Sequence, residues 1–261
     1  MTYTAIRVAA RPRDYVGVRG PDAESYLQAL VTNDVEGLGP GEACEALLLT
    51  PKARVVAPMV VLRRAADDYL LLTEPGLGGP LRSTLLRSRF AAKCEIELEE
   101  HSSAVVLGGV DGIPTSDYGV EAVELLDQRL EPTLGEDELE LLRIRAGTPR
   151  YGREIDDRVL PAEAGLDVRA IDFSKGCYVG QEPVARQHYR GRVNRSLRVL
   201  AVDGTELPEY DAELVHQGKP VGRVTSAARD GDGVVALGYV RAEVPADAIF
   251  DLGSREARQL S

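Results

Sequence analysis

The chain reads as an α+β protein: residues 1–192 form mixed modules, two of them by the alternation of patterns, and 193–261 form a small antiparallel β-barrel. Two observations carry this. Up to about residue 150, segments with apolar residues at helical spacing are interleaved with short Val- and Leu-rich runs bounded by Pro, Gly and Asp. Beyond Val193 the helical spacing vanishes and short alternating strands take over, with Gly218-Lys219 as a hairpin turn between two of them. Elements that each bury one face must pack in layers, which gives the fold class.

The first element starts at Gly20-Pro21-Asp22-Ala23-Glu24, with Pro at the beginning and acids in the first turn, where the helix dipole favours them. Tyr26, Leu27, Leu30 and Val31 supply its apolar face, and Thr32-Asn33-Asp34 ends it, because these side chains compete for backbone hydrogen bonds. Strands follow at 45–50, 55–62 and 69–73, joined at Pro51-Lys52 and at 65–68. A second helix starts at Pro80 and carries Leu81, Leu85, Leu86 and Phe90 on one face; 94–99 alternates as a half-exposed strand, and 104–107 reads as a buried one. Helical patterns are expected at 121–130 and 137–146, the latter closed by Gly147 and Pro149. In the tail, 190–202 reads as extended, with Arg190, Arg192 and Arg198 on one face and Val193, Leu197, Val199 and Ala201 on the other. Strands at 213–217, 221–227 and 234–240 complete the barrel, and 254–261 is expected to fray.

Composition limits the function classes. A net charge of -11 disfavours nonspecific binding to nucleic acid or anionic lipid, so direct nucleic-acid binding is not expected. No apolar run of about 18 or more residues occurs, and the first residues lack a charged and then apolar leader, so a cytoplasmic protein with no membrane partner is expected. Three widely spaced cysteines argue against a disulfide framework and against a metal site. Neither a GxSxG elbow nor a phosphate loop of the GxGxxG or GxxxxGK[ST] type is present.

The chemistry concentrates in Lys175-Gly176-Cys177-Tyr178-Val179-Gly180-Gln181-Glu182. Two glycines cost helix or strand stability, so the segment is expected to bend or to approach other backbone closely. Cys177, beside Lys175, is the candidate reactive thiol, since nearby cations favour thiolate. Tyr178 offers a stacking face, and Gln181 and Glu182 offer polar contacts to a ring. Arg186, Arg190, Arg192, Arg195 and Arg198 follow, either a solvated face or a wall for carboxylate or phosphate. Cys44 and Cys94 sit among apolar residues and are read as core.

The octapeptide, with Arg186 and Gly191, resembles the signature of the YgfZ-type folate-binding family, related to the T protein (aminomethyltransferase) of the glycine cleavage system. Residues 30–35, 142–152, 160–166, 221–226 and 236–240 resemble further segments of that family. The resemblance implies a ring-like arrangement of α+β modules and a barrel around a hole that holds tetrahydrofolate. It also implies a role in iron–sulfur cluster assembly or repair, with iron–sulfur proteins or assembly factors as partners and an indirect effect on tRNA modification. By the same resemblance Lys175 and Cys177 belong to the functional signature, and Arg143, Tyr178, Gln181, Glu182 and Arg186 are expected around the folate. No metal is implied.

The chain departs from the T protein where that enzyme carries a paired-Asp segment: it has Ala57-Pro58 instead. Neither residue relays a proton, which points to an accessory protein rather than an enzyme. The alternative is a folate-dependent aminomethyl or methyl transferase acting on a small amine, with Glu182 as base.

Overall fold

The computed structural model describes residues 6–191 and 193–260, the side chain of Arg190 excepted. The first half runs β1 (Arg7–Ala10), β2 (Asp14–Arg19), α1 (Ala23–Gln28), β3 (Ala43–Leu49), β4 (Val55–Ala65), β5 (Asp68–Thr73), α2 (Gly78–Ser88), β6 (Glu95–Glu99), β7 (Ser103–Leu107), β8 (Ile113–Thr115) and β9 (Ala122–Leu126). The second half runs α3 (Glu136–Arg145), a 3-10 turn at Pro161–Ala164, α4 (Gln181–Arg190), β10 (Arg195–Val202), β11 (Glu213–His216), β12 (Lys219–Asp230), β13 (Gly233–Arg241), β14 (Ile249–Leu252) and β15 (Arg255–Gln259). The result is an α+β architecture whose two antiparallel sheets are followed by a closed barrel.

One sheet has the order β3-β4-β5-β2-β6. Along β4 residues alternate, with Val55, Ala57, Met59 and Val61 buried and Val56, Pro58, Val60 and Leu62 on the half-covered face, the period-2 pattern of a sheet covered more fully on one side. Tyr26 and Leu27 of α1 and Leu81 and Leu85 of α2 pack onto the buried face with Val16, Val18, Tyr69 and Leu71. The Tyr26 hydroxyl donates to the Leu85 carbonyl at 2.5 Å, so the two helices are tied as well as packed. A second sheet has the order β1-β7-β9-β8.

The expected helix at 121–130 is instead strand β9, paired with both β7 and β8. A short apolar run fits either element by periodicity alone, and here Ala122 and Val123 are buried between two ladder partners. The helix expected at 137–146 is present as α3.

The barrel closes in the order β10-β13-β12-β11-β14-β15. Gln217 and Gly218, both at positive φ, make the hairpin between β11 and β12. Three tail expectations are corrected. Arg190 ends α4 rather than opening a strand, and in β10 it is Leu200 and Val202 that face the barrel interior with Phe250 and Leu252. Leu197 and Val199 face outward onto Leu141 and Ile144 of α3, so the strand is apolar on both sides and alternation could not say which side was inside. Residues 255–259 do not fray: β15 pairs with β14 and with β10 and completes the closure.

The two sheets are linked at the turn between β6 and β7. His101 Nε2 lies 3.0 Å from Glu99 Oε2 and its Nδ1 lies 2.7 Å from Asp127 Oδ2. Burial opposes the imidazolium, but the two carboxylates outweigh it and raise the His101 pKa. A raised folded-state pKa gives stability that is full below the unfolded value and is lost as pH rises through the folded one. The chain is therefore expected to lose this stability as pH rises above the ordinary imidazole value of about 6.5. Urea unfolding midpoints at pH 6 and pH 8 should differ in that sense, and the difference should shrink in His101→Gln.

Candidate functional site

Thr32, Asn33 and Asp34, expected only to end α1, receive the segment that precedes the octapeptide. The Thr32 hydroxyl donates to the Ala170 carbonyl at 2.6 Å and accepts from Leu47 N–H at 2.8 Å, and Asp172 N–H donates to the Thr32 carbonyl. The Asn33 amide donates to the Glu45 and Arg169 carbonyls at 2.7 and 3.3 Å. Asp172 then makes a tight turn: one carboxylate oxygen accepts from Ser174 N–H, Ser174 Oγ and Lys175 N–H.

Lys175 does not face the thiol chemistry expected of it. Its ammonium donates to the carbonyls of Gln28, Val31 and Asn33 at 2.9, 2.8 and 2.7 Å. These are backbone acceptors around the end of α1, where a cation is favoured. Three bonds use all three protons. Burial pushes its pKa down to about 8, against the pull of Asp34. The Tyr178 ring lies 5.6 Å from that nitrogen and is buried with Ile171, Val184 and Leu49. Its hydroxyl is buried without a hydrogen-bond partner, and burial raises its pKa to about 12.

Gly180 shows why the segment needs glycine. Its φ is +84°, and a Cβ there would stand 2.6 Å from the Thr50 carbonyl oxygen. Gly176 has open space around it and no such requirement. Between these braces Cys177 is exposed, while Cys44 is half-buried and Cys94 buried. α4 begins directly after the turn, and Phe173 stacks on its His188 at 3.8 Å.

A cavity of about 50 Å³ lies where the two sheets meet the 149–170 segment, lined by Arg11, Arg13, Glu45, Glu74, Asp117 and Arg169 on its polar side. Leu47, Pro58, Met59, Ile155 and Leu166 line the apolar side. Arg13 makes a bidentate pair with Glu124 at 2.8 to 3.1 Å, both side chains almost fully buried. Arg169 bridges Glu45 and Asp117 at 3.0 Å each, and Arg11 reaches Glu74 at 3.0 Å and Asp117 at 3.6 Å. Burial would raise the Asp117 pKa, but the three guanidiniums hold it down; at Glu45 burial wins and the pKa rises. Arg11 and Glu74 also line a groove of about 500 Å³ with Glu140, Arg150 and Arg153.

None of the residues expected around a folate lines this cavity. Arg143 is buried in a network of its own, donating to Glu140, Glu154 and the Thr148 carbonyl. Cys177 lines neither the cavity nor the two larger grooves. Gln181 and Glu182 open α4, Glu182 exposed, and Arg186 lines a separate groove with Lys52 and Arg54. The arginine wall is dispersed because its members leave different elements. Arg195 pairs with Glu163 and lies over Tyr239, and Arg198 donates to the Val244 and Pro245 carbonyls. Arg192 and the Arg190 side chain lie outside the described residues. The cavity residues that sequence reasoning missed had one local signal, Arg11-Pro12-Arg13: two cations around a strand-breaking proline in an acidic chain.

Two outcomes follow from this geometry. A thiol reagent added to the folded protein should modify Cys177 in a fast phase, with Cys44 and Cys94 reacting only on unfolding; a fast phase that survives Cys177→Ala would contradict it. Lys175→Met should lower stability by roughly 2–3 kcal/mol, because three carbonyls lose a charged donor, as read from urea unfolding.

No protein-family model matches the chain. It is 28% identical to an uncharacterised protein of Haemophilus influenzae, covering 86% of this chain and 85% of that one. It is also 28% identical to an iron-sulfur cluster assembly factor IBA57 homolog, mitochondrial, of Pyricularia oryzae, covering 94% and 74%. An aminomethyltransferase of Shouchella clausii is 25% identical over 89% and 77% of the two chains. The crystal structure of the glycine cleavage system aminomethyltransferase T from Bartonella henselae superposes with a TM-score of 0.81 over 98% of this chain and 84% of that one, at 19% identity. The chain thus has the T-protein fold and is similar in sequence both to aminomethyltransferases and to an iron–sulfur assembly factor homolog.

Proposed function

We propose that the protein is a tetrahydrofolate-binding accessory factor for iron–sulfur cluster assembly or repair, of the YgfZ type. On this reading it acts in the cytoplasm and affects tRNA modification only through cluster-bearing enzymes. One observation carries the accessory reading: β4 presents Pro58 and Met59, not a carboxylate, to the central cavity of a T-protein fold. The similarity to the assembly factor homolog over 94% of the chain supports the cluster role. No helix among the described residues is long and apolar enough to cross a membrane.

The cavity residues suit a pterin by their chemistry. A flat heterocycle with an amidine-like edge pairs with a carboxylate, and Glu45 and Asp117, both partly buried and now paired with Arg169, line the cavity, while Leu47, Met59, Ile155 and Leu166 supply apolar contact for its faces. Bound tetrahydrofolate would supply a one-carbon acceptor and a reducing pteridine. The chain's own part is to hold the polar edge, exclude water behind the apolar wall, and keep Cys177 outside on a turn that Lys175, Tyr178 and Gly180 make rigid. Arg143 and Lys175 brace the scaffold in this reading, and Tyr178, Gln181 and Glu182 brace the thiol turn. A transferase with Glu182 as base gains no support, because Glu182 is exposed on α4 and lines neither the cavity nor its groove.

Calorimetric titration with tetrahydrofolate should show binding at one site; the absence of heat and of any thermal shift would remove the folate from this reading. In cells lacking the protein, Cys177→Ala should fold normally yet fail to restore activity of a cluster-dependent enzyme. Full restoration would remove the thiol.

A further inference from the structure

We infer that the basic groove between the β3–β4 turn and α4 is a docking site for an acidic segment of a partner polypeptide. The inference rests on the accessory reading, which requires a partner, and adds that partner's chemistry. The groove measures about 570 Å³ and is lined by three cations, Lys52 and Arg54 from the turn and Arg186 from α4, with Leu160 and Pro183 as its apolar surface. In a chain of net charge -11 this concentration is local, so an acidic partner is repelled by most of the surface and drawn to this part of it.

The cations are available to such a partner. Among the described residues the groove's one ion pair is that of Glu163 with Arg195, and none of the three lining cations takes part in it. Arg54 donates to the Arg158 carbonyl at 2.7 Å, which sets its direction and leaves its charge unmatched. Glu163, the groove's single acid, does not oppose an incoming anion. It is buried, and its Oε2 accepts from Leu160 N–H at 3.0 Å and lies 3.2 Å from Arg195, so its charge is already answered.

The seating of α4 points the same way. Val184 alone of its described side chains is buried, while Arg186, His188 and Tyr189 are exposed. Pro183, Arg186 and Gln187, three and four residues apart, lay one face of the helix along the groove. Arg and Tyr are residue types that interfaces favour. A polypeptide also suits this surface better than a nucleic acid does. It can set carboxylates opposite the three cations and an apolar side chain against Leu160 and Pro183. A polynucleotide carries a charge at every residue and would meet Glu182, next to Pro183, and Asp157, next to Arg158, both exposed.

The test is fluorescence anisotropy of a fluorescein-labelled peptide of Glu-Glu-Leu repeats, with a Lys-Lys-Leu peptide for comparison. It is titrated with the wild type, with Lys52→Glu/Arg186→Glu, and with Arg87→Glu/Lys219→Glu, which makes the same change of charge at exposed positions outside the groove. The acidic peptide should bind the wild type, weaken as salt rises, and lose about tenfold in affinity in the groove variant, the scale of a few exposed charge pairs, but not in the other. Equal affinities in the wild type and the groove variant, or tighter binding of the basic peptide, overturn the inference. Displacement by an equal concentration of inorganic phosphate, or tighter binding of a single-stranded oligonucleotide, gives the groove to another anion and overturns the polypeptide. In cells lacking the protein, the groove variant should fail to restore a cluster-dependent enzyme, and full restoration overturns the docking role. A wild-type chain that itself fails to restore the enzyme overturns the accessory reading, and the peptide titration then decides the groove by itself. Should the groove variant fail to fold, Lys52→Glu alone supplies the comparison.

Discussion

The structure depends on how two sheets and the segment that follows them are held at one point by buried charge. Arg11 and Arg13 come from the β1–β2 connection, Glu45 from β3, Glu74 from beyond β5, Asp117 from beyond β8, Glu124 from β9 and Arg169 from the approach to the thiol turn. Hydrophobic packing is non-directional and forms each module without fixing how the modules meet. Ion pairs with hydrogen-bond geometry do fix it. A buried network of this kind adds little net stability, yet loss of one member strands its partner at a cost of about 3–5 kcal/mol. It is a device for orientation.

That network and the thiol turn belong to one continuous strap. Arg169 serves the cavity, Ala170 and Asp172 are fastened to Thr32, and Lys175 is fastened to the end of α1. The same fastened segment therefore carries both a cavity residue, Arg169, and the exposed Cys177, which does not line the cavity. This separation is consistent with a protein whose ligand and whose thiol do not react with one another directly.

Much of this was legible in the sequence where a local pattern decides the outcome. The alternation of β4, the Leu81 and Leu85 face of α2 and the closed end of α3 each express a constraint that acts within a few residues, whereas Phe90, expected on the α2 face, lies beyond the helix and is exposed, and the hairpin expected at Gly218-Lys219 turns one residue earlier, at Gln217-Gly218. β9 offers no readable periodicity because three consecutive residues, Ala122 to Glu124, are buried, and β10 none because both its faces are apolar. The octapeptide announced itself through its glycines and its thiol, but Lys175 was assigned to the wrong partner: its acceptors are backbone carbonyls far earlier in the chain, which have no sequence signature. The central charges were hidden for the same reason. They are single residues scattered from Arg11 to Arg169, each ordinary among its neighbours, and only the sheets bring them together.

The distance along the chain between Lys175 and its acceptors has a further consequence for biogenesis. The bond to Gln28 spans 147 residues, so the carbonyls at the end of α1 wait for the ribosome to deliver more than half of the chain. Contacts of such long range form late and slowly, and N-terminal modules fold first during synthesis. The nascent module must hold its shape before its lysine clasp arrives, so the end of α1 keeps three carbonyls without their charged donor until the strap is made.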